Sequence, residues 1–290
     1  MSVRSLITAL STAAAAVAAA CAWAPAFAAD YSVASPDRSI TVSVSDRGGT
    51  CRYRVTKDGA EVIRPSALGF RFGDGIDLFE ELSILSASRS ASDTLWEQPW
   101  GEQRLVEDRH SELAVLCERA DGRRRMLIVF RVFDDGVGFR YELPGGGIGG
   151  AFDLIEEKTE FALAGDHAAW WIPALENNRY EYLYTESPVS GAGTVHTPLT
   201  MRTSQGIYLS IHEAALTDWA SMALASEAGN VLRCRLVPWS DGVAVRGTMP
   251  AVSPWRTITI AADTGGLVTS TLILNLNEPS RIADTSWIRP

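Results

Sequence analysis

The chain has 290 residues, a formal net charge of −9, 46 % hydrophobic residues and 21 % charged residues. That length admits one large domain or two small ones, and the apolar content excludes disorder. The acidic balance lacks the positive footprint that nucleic-acid binding needs, so that class is set aside.

At the N-terminus, Arg4 precedes an Ala-rich apolar run from Leu6 to Ala20, and Ala26-Phe27-Ala28 fits a small-x-small cleavage site. Residues 1–28 are therefore expected to be a signal peptide, and the mature chain an exported protein of the periplasm or the extracellular space. A lipid-modified Cys21 is the competing reading, and Ala18 disfavours it because Leu or Val is usual there. No later run reaches the ~18 apolar residues of a membrane span. Cys51, Cys117 and Cys234 each lie in an apolar or strand-like run. They are expected to be buried thiols that form at most one disulfide, and no spacing among them resembles a zinc or redox motif.

From Ser39 onward the pattern has period two, with Ile40, Val42 and Val44 on one face and Thr41, Ser43 and Ser45 on the other. Turn signals at Arg47-Gly48-Gly49, Asp58-Gly59 and Gly73-Asp74-Gly75 break the chain into hairpins. Ser86 to Ser92, small and polar, is expected to cross between sheets. Glu112 to Leu116 reads as a strand, and Met126 to Phe130, apolar throughout, as one buried on both faces. Gly136 and Gly138 suggest a tight bend before Phe139 and Tyr141, which share a strand face. The glycines of Pro144 to Gly150 form a loop within one domain. Ile207–Ile211, Val231–Leu236, Arg256–Ile260 and Thr271–Leu276 complete the expected strands. With no fixed-period repeat and no long helix, the pattern predicts an all-β fold, a large two-sheet sandwich.

The segment from Asp166 to Glu186 breaks the alternation of its flanks. It gathers Trp170, Trp171, Tyr180, Tyr182 and Tyr184 beside Glu176, Glu181 and Glu186, and Pro173 and Asn177-Asn178 mark it as irregular. Aromatic faces beside carboxylates suit a sugar: rings stack on C–H faces, while carboxylates accept hydrogen bonds from hydroxyls or hold a hard cation. The competing reading is two core tryptophans among solvated acids.

His212-Glu213-Ala214-Ala215-Leu216 approaches the zinc-protease signature but has Leu216 where a second His must share the helix face, so that reading fails. A His–Glu pair at a strand end remains a candidate ligand contact. No Gly-x-Ser-x-Gly elbow, P-loop or dinucleotide fingerprint occurs. Glu176, Glu181, Glu186 and Glu213 are the candidates for the paired carboxylates that glycoside hydrolysis uses.

An ordered set of segments resembles the N-terminal domain of glycoside hydrolase family 97, exported α-glucosidases and α-galactosidases. It comprises Ser35-Pro36-Asp37, Trp100-Gly101-Glu102, Glu112–Val115, Phe133–Glu142, Gly165-Asp166-His167 and Trp171-Ile172-Pro173. His212–Leu216, Pro254–Ile258, Leu274–Pro279 and Ile282-Ala283-Asp284 follow in the family's order. The resemblance implies a β-super-sandwich of the galactose mutarotase type with few short helices over residues 29–280. Residues 281–290 would begin a linker to a (β/α)8 barrel that carries the acid and base carboxylates and most of a calcium site. It implies that Glu181, in Glu181-Tyr182-Leu183-Tyr184, donates one ligand to that Ca2+, with Glu176 and Glu186 as alternatives. Trp171, Glu176, His212 and Glu213 would bind an α-linked glycan. On this reading the chain is an accessory domain, not catalytic alone. The alternatives are a lectin-like sugar-binding protein and a mutarotase-like epimerase using His167, His196 or His212.

Overall fold

The computed structural model of the chain describes residues 31–145, 150–176 and 180–289; the expected signal peptide, Cys21 and most of the glycine-rich loop lie outside them. The described residues form four antiparallel sheets, of four, three, four and ten strands. The ten-stranded sheet is one layer. The smaller sheets face it across a single core that takes side chains from all four. Tyr53, from the N-terminal sheet, lies with its ring centroid 5.0 Å from that of Phe139 and 6.0 Å from that of Phe130, both on the large sheet. Phe70, from a third sheet, meets Tyr141 at 4.5 Å. These rings come from the alternating apolar positions read in the sequence, so the all-β sandwich expected there is the observed fold.

Most hairpins stand where the turn residues place them. Gly48, Gly49, Gly59, Gly75 and Gly122 all have φ near +70 to +80°, the left-handed turn conformation that glycine adopts at no steric cost. Met126, Ile128, Val129 and Phe130 are buried on both faces of Arg125–Phe133. This strand is covered by the core on one side and by Leu272 and Leu276 of a short helix on the other.

Three local expectations are corrected. Ser86 to Ser92 does not cross between sheets. It lies inside the long strand Leu82–Glu97, which pairs on one side only, with Leu105–Arg119. An outer strand with two solvated faces has no use for apolar alternation, so its small polar residues disguise it. Gly136 and Gly138 are strand residues of Gly136–Leu143, not a bend. A Cβ on Gly138 would meet Leu276 Cδ1 at 2.4 Å, and one on Gly136 would meet Ile258 O at 2.4 Å and Leu272 Cδ1 at 2.7 Å. The missing side chains are the seat of the helix above.

That helix is the third correction. Thr271–Leu276 is not a strand: Leu272–Leu276 is helical, preceded by the helix Thr264–Thr269. Leu272 and Leu276, four residues apart, share one helix face, which packs on Val129, Phe133, Ala214 and Trp255 in a second apolar cluster. Asn275 lies between them. It donates to Glu107 O at 2.8 Å and accepts from Trp96 Nε1 at 2.8 Å, fastening the helix to the long hairpin. Among the described residues no helix is long and apolar enough to cross a membrane.

Candidate functional site

The aromatic and acidic segment singled out in the sequence links the strand Ala168–Trp171 to its neighbour Thr185–Pro188, which is the edge of the large sheet. Residues 172–176 leave the large sheet and bridge to the sheet opposite. Ala174 N donates to Thr194 O, His196 N donates to Ile172 O, and Pro173 forms an isolated bridge with Val195. Leu175 turns the chain with φ +61°. The segment therefore starts between the layers and emerges at one rim of the sandwich.

An open cleft of about 630 Å³ lies at that rim, lined by Trp171, Pro173, Glu176, Glu181, Tyr182, Leu183, Thr185, Gly193 and Thr194. Trp171 packs one side of its indole on the core and turns the other to the cleft. Its Nε1 donates to Ser187 Oγ at 3.0 Å, which fixes the ring. Tyr182 Oη donates to Glu176 O at 3.1 Å, closing the segment on itself. Glu176 and Glu181 are both exposed, and Leu183 is 93 % exposed, a large apolar side chain on the outer lip. Beside the cleft, Tyr180 stacks on His196 with centroids 3.8 Å apart. Burial, then the charge of Glu213, pushes the Tyr180 phenol up.

Three of the residues expected at a glycan or metal site, Trp171, Glu176 and Glu181, thus line one cleft. Glu186 does not join them. It stands opposite Trp170, whose Nε1 donates to its carboxylate at 3.2 Å. His212 and Glu213 are not cleft residues either, and strand geometry separates them. Along Tyr208–Ala214 the inward positions are Leu209, Ile211 and Glu213, while His212 lies with Ser210 on the opposite face. His212 Nδ1 pairs with Thr197 Oγ1 at 3.0 Å, and burial lowers its pKa, which favours the neutral ring. His167 is buried with its Nε2 unpartnered, and burial lowers its pKa too.

Glu213, expected at the glycan, is buried and paired within the protein. Its Oε1 accepts from Met222 N at 3.1 Å, and its Oε2 accepts from Arg256 Nη1 at 2.7 Å. Arg256, fully buried, also makes a two-pronged pair with Glu157 through Nε at 2.8 Å and Nη2 at 2.5 Å. Thr159 Oγ1 donates to the same Glu157 at 2.8 Å. Burial pushes the Glu213 carboxyl up, and Arg256 pulls it back towards the charged form. This is a buried charge cluster that joins the two layers, and it engages both oxygens of Glu213. Sequence reading missed Arg256 and Glu157. The available signal was an arginine inside Trp255–Ala261, a strand buried at every position, where a charge requires a partner.

A hard cation is served in kind but not in number. Glu181 offers carboxylate oxygens at the cleft, and Glu176 lies on the same lining, but calcium takes about six to eight oxygens. Among the described residues no three His, Cys, Asp or Glu side chains converge as a metal cluster. A cation at Glu181 needs further oxygen ligands from elsewhere.

Residues 33–279 match the family model described as Glycosyl-hydrolase 97 N-terminal. The chain is 30 % identical over 296 residues to a probable retaining alpha-galactosidase of Streptomyces bingchenggensis, covering 100 % of this chain and 45 % of that protein. It is 22 % identical over 295 residues to the retaining alpha-galactosidase of Bacteroides thetaiotaomicron, covering 90 % of this chain and 43 % of that protein. The chain thus spans a little under half the length of these curated relatives. Among solved structures, a Glycoside Hydrolase Family 97 enzyme from Pseudoalteromonas sp. strain K8 in complex with acarbose superposes with a TM-score of 0.87 at 40 % identity. That match covers 90 % of this chain and 40 % of the other. A sandwich of this topology, matched to that model over nearly all its described residues, belongs to the glycoside hydrolase family 97 N-terminal domain family.

Proposed function

We propose that this chain is the sugar-facing accessory half of an exported family 97 α-glycosidase. Trp171 presents an aromatic wall to an α-linked glycan, Glu176 accepts from its hydroxyls, and Glu181 supplies one carboxylate to a calcium site. A (β/α)8 barrel completes that site and carries the acid and base. The observation that carries the reading is the convergence of Trp171, Glu176 and Glu181 on one open cleft at the rim of the sandwich. An open acidic and aromatic wall of this kind is half of an enclosure, and a partner surface is what closes such a half.

The relatives and the solved structures support the substrate class, being alpha-galactosidases by name and a family 97 enzyme bound to acarbose or panose. On this reading calcium would act as a Lewis acid and template at the barrel's carboxylates, while this chain's residues hold the sugar and one edge of the ion. Among the described residues, tryptophans also line other hollows, such as one of about 710 Å³ beside Trp219 and Trp239 and one of about 690 Å³ beside Trp96, Trp100 and Trp255. The test therefore has to separate them. Titrating an α-linked trisaccharide into the labelled chain, with the indole N–H signals assigned, is expected to shift Trp171 and leave Trp96, Trp100, Trp219, Trp239 and Trp255 in place. W171A should weaken the binding roughly tenfold. Shifts confined to Trp219 and Trp239 or to Trp96, Trp100 and Trp255, or affinity unchanged in W171A, would place the sugar elsewhere and defeat the proposal.

A further inference from the structure

Cys51 and Cys117 are both fully buried in the main core, and their sulfurs lie 2.9 Å apart, each within hydrogen-bond reach of the other. Cys51 immediately precedes the strand Arg52–Lys57 of the N-terminal sheet, while Cys117 lies in Leu105–Arg119 of the ten-stranded sheet. The meeting is fixed by the backbone on both sides. Leu82 N donates to Gly49 O at 2.8 Å, and Ile84 N donates to the Asp46 carboxylate at 2.6 Å. Ile84 is itself the cross-strand partner of Cys117. The loop that carries Cys51 is thereby stapled to the strand beside Cys117, and the two thiols face each other. Cys234, the remaining buried cysteine, belongs to the strand Val231–Leu236 of another sheet, where its charged neighbours are Glu157 and Arg256.

We infer that Cys51 and Cys117 form a disulfide that ties the N-terminal sheet to the large one when the chain folds in the presence of a disulfide oxidant, with Cys234 left as a free thiol. The bond forms by two exchanges. The thiolate of one cysteine attacks the oxidant's S–S bond, gives a mixed disulfide and expels the first oxidant thiol. The other cysteine then attacks the protein-side sulfur and expels the second. Two protein thiols lose two protons and two electrons, one oxidant disulfide becomes two thiols, and the protein gains one S–S bond.

The order of events follows from burial. In the folded dithiol the hydrogen bond with Cys51, then burial, pushes the Cys117 thiol well above its ordinary value, so the attacking thiolate is scarce there and no oxidant reaches it. The exchange therefore takes place before the layers close. Once made, the bond is as sheltered as the thiols were, and a reductant reaches it only on unfolding. The two cysteines are 66 residues apart, so the link closes a long loop in the unfolded chain and restricts that state strongly.

The inference is independent of the proposed glycan role and is tested on the whole chain, with C21S so that Cys21 does not enter the count. The unfolded chain is refolded in an oxidised and reduced glutathione mixture, denatured, alkylated without reduction and mapped by mass spectrometry. The expected result is one linked peptide pair containing Cys51 and Cys117, with Cys234 alkylated. The oxidised chain should melt roughly 5–10 °C above the same chain refolded under reductant. C234A should keep that difference and C117A should lose it. Alkylation of Cys51, Cys117 and Cys234 together after oxidative refolding, or a linked pair that includes Cys234, would overturn the inference. The map of the chain with its buried cysteines intact decides the matter even where C117A does not fold.

Discussion

Asp37 shows how much one exposed side chain can depend on its neighbours. Its carboxylate accepts from Ser35 Oγ at 2.5 Å, from Ser39 N at 2.9 Å and from Ser39 Oγ at 2.8 Å. Burial works against its charge, but these bonds outweigh it and hold the pKa at about 2. A carboxylate held below its unfolded value stabilises the fold at pH above that value, and the contribution is lost as pH falls through the folded one. D37N is therefore expected to lower the urea midpoint at pH 5, and the difference from the parent chain should shrink between pH 4 and pH 2. Urea curves across that range check it. Glu181 is the opposite case, an exposed carboxylate whose lining position, not its bonding, marks it.

At the scale of single elements, the strand Trp255–Ala261 and the helix Leu272–Leu276 organise the two faces of the large sheet. Arg256 points into the core between Glu157 and Glu213, while Trp255, one residue earlier, points out to the helix and lies under Arg131 and Arg140. Removing the guanidinium strands two carboxylates in a buried site. R256M is expected to cost about 3–5 kcal/mol in urea unfolding, against well under 1 kcal/mol for neutralising an exposed pair such as Arg104–Glu97. On the other face, G138A should cost roughly 1–3 kcal/mol, because the added methyl runs into Leu276, which is only 2 % exposed and has little room to yield. Combining it with L276A, which opens that space, should give less than the sum of the two costs.

Elements were legible in the sequence where burial imposed a period. Ile40 to Ser45 and Phe139 with Tyr141 alternate because one strand face meets the core, and the glycine turns follow from positive φ. The Ser-rich strand from Leu82 was not legible, since beyond Ala87 both its faces largely meet solvent. Leu272–Leu276 was not legible either, being too short for its four-residue spacing to separate from an apolar strand. The cleft was half legible. Trp171, Glu176 and Glu181 sit close together in the chain, so composition alone exposed them. The pairing of Glu213 was not legible, because its cross-strand partner Arg256 lies 43 residues further on.

For the molecule as a whole, the layers put nearly all the bonding power into one core and leave one rim open. The apolar rings that join the sheets are buried, while Trp171, Glu176, Glu181 and Leu183 stand where the core gives way to solvent. A half-cleft with two exposed acids fits a shared site better than a self-sufficient one. The composite site is tested most directly by hydrolysis of p-nitrophenyl α-galactoside, with calcium and with chelator. The chain would be assayed alone and joined to a family 97 barrel, each with and without E181Q. The prediction is no turnover from the chain alone, calcium-dependent turnover from the joined protein, and a loss of about tenfold or more in that turnover with E181Q. Turnover by the chain alone, or a joined protein indifferent both to calcium and to E181Q, would contradict it.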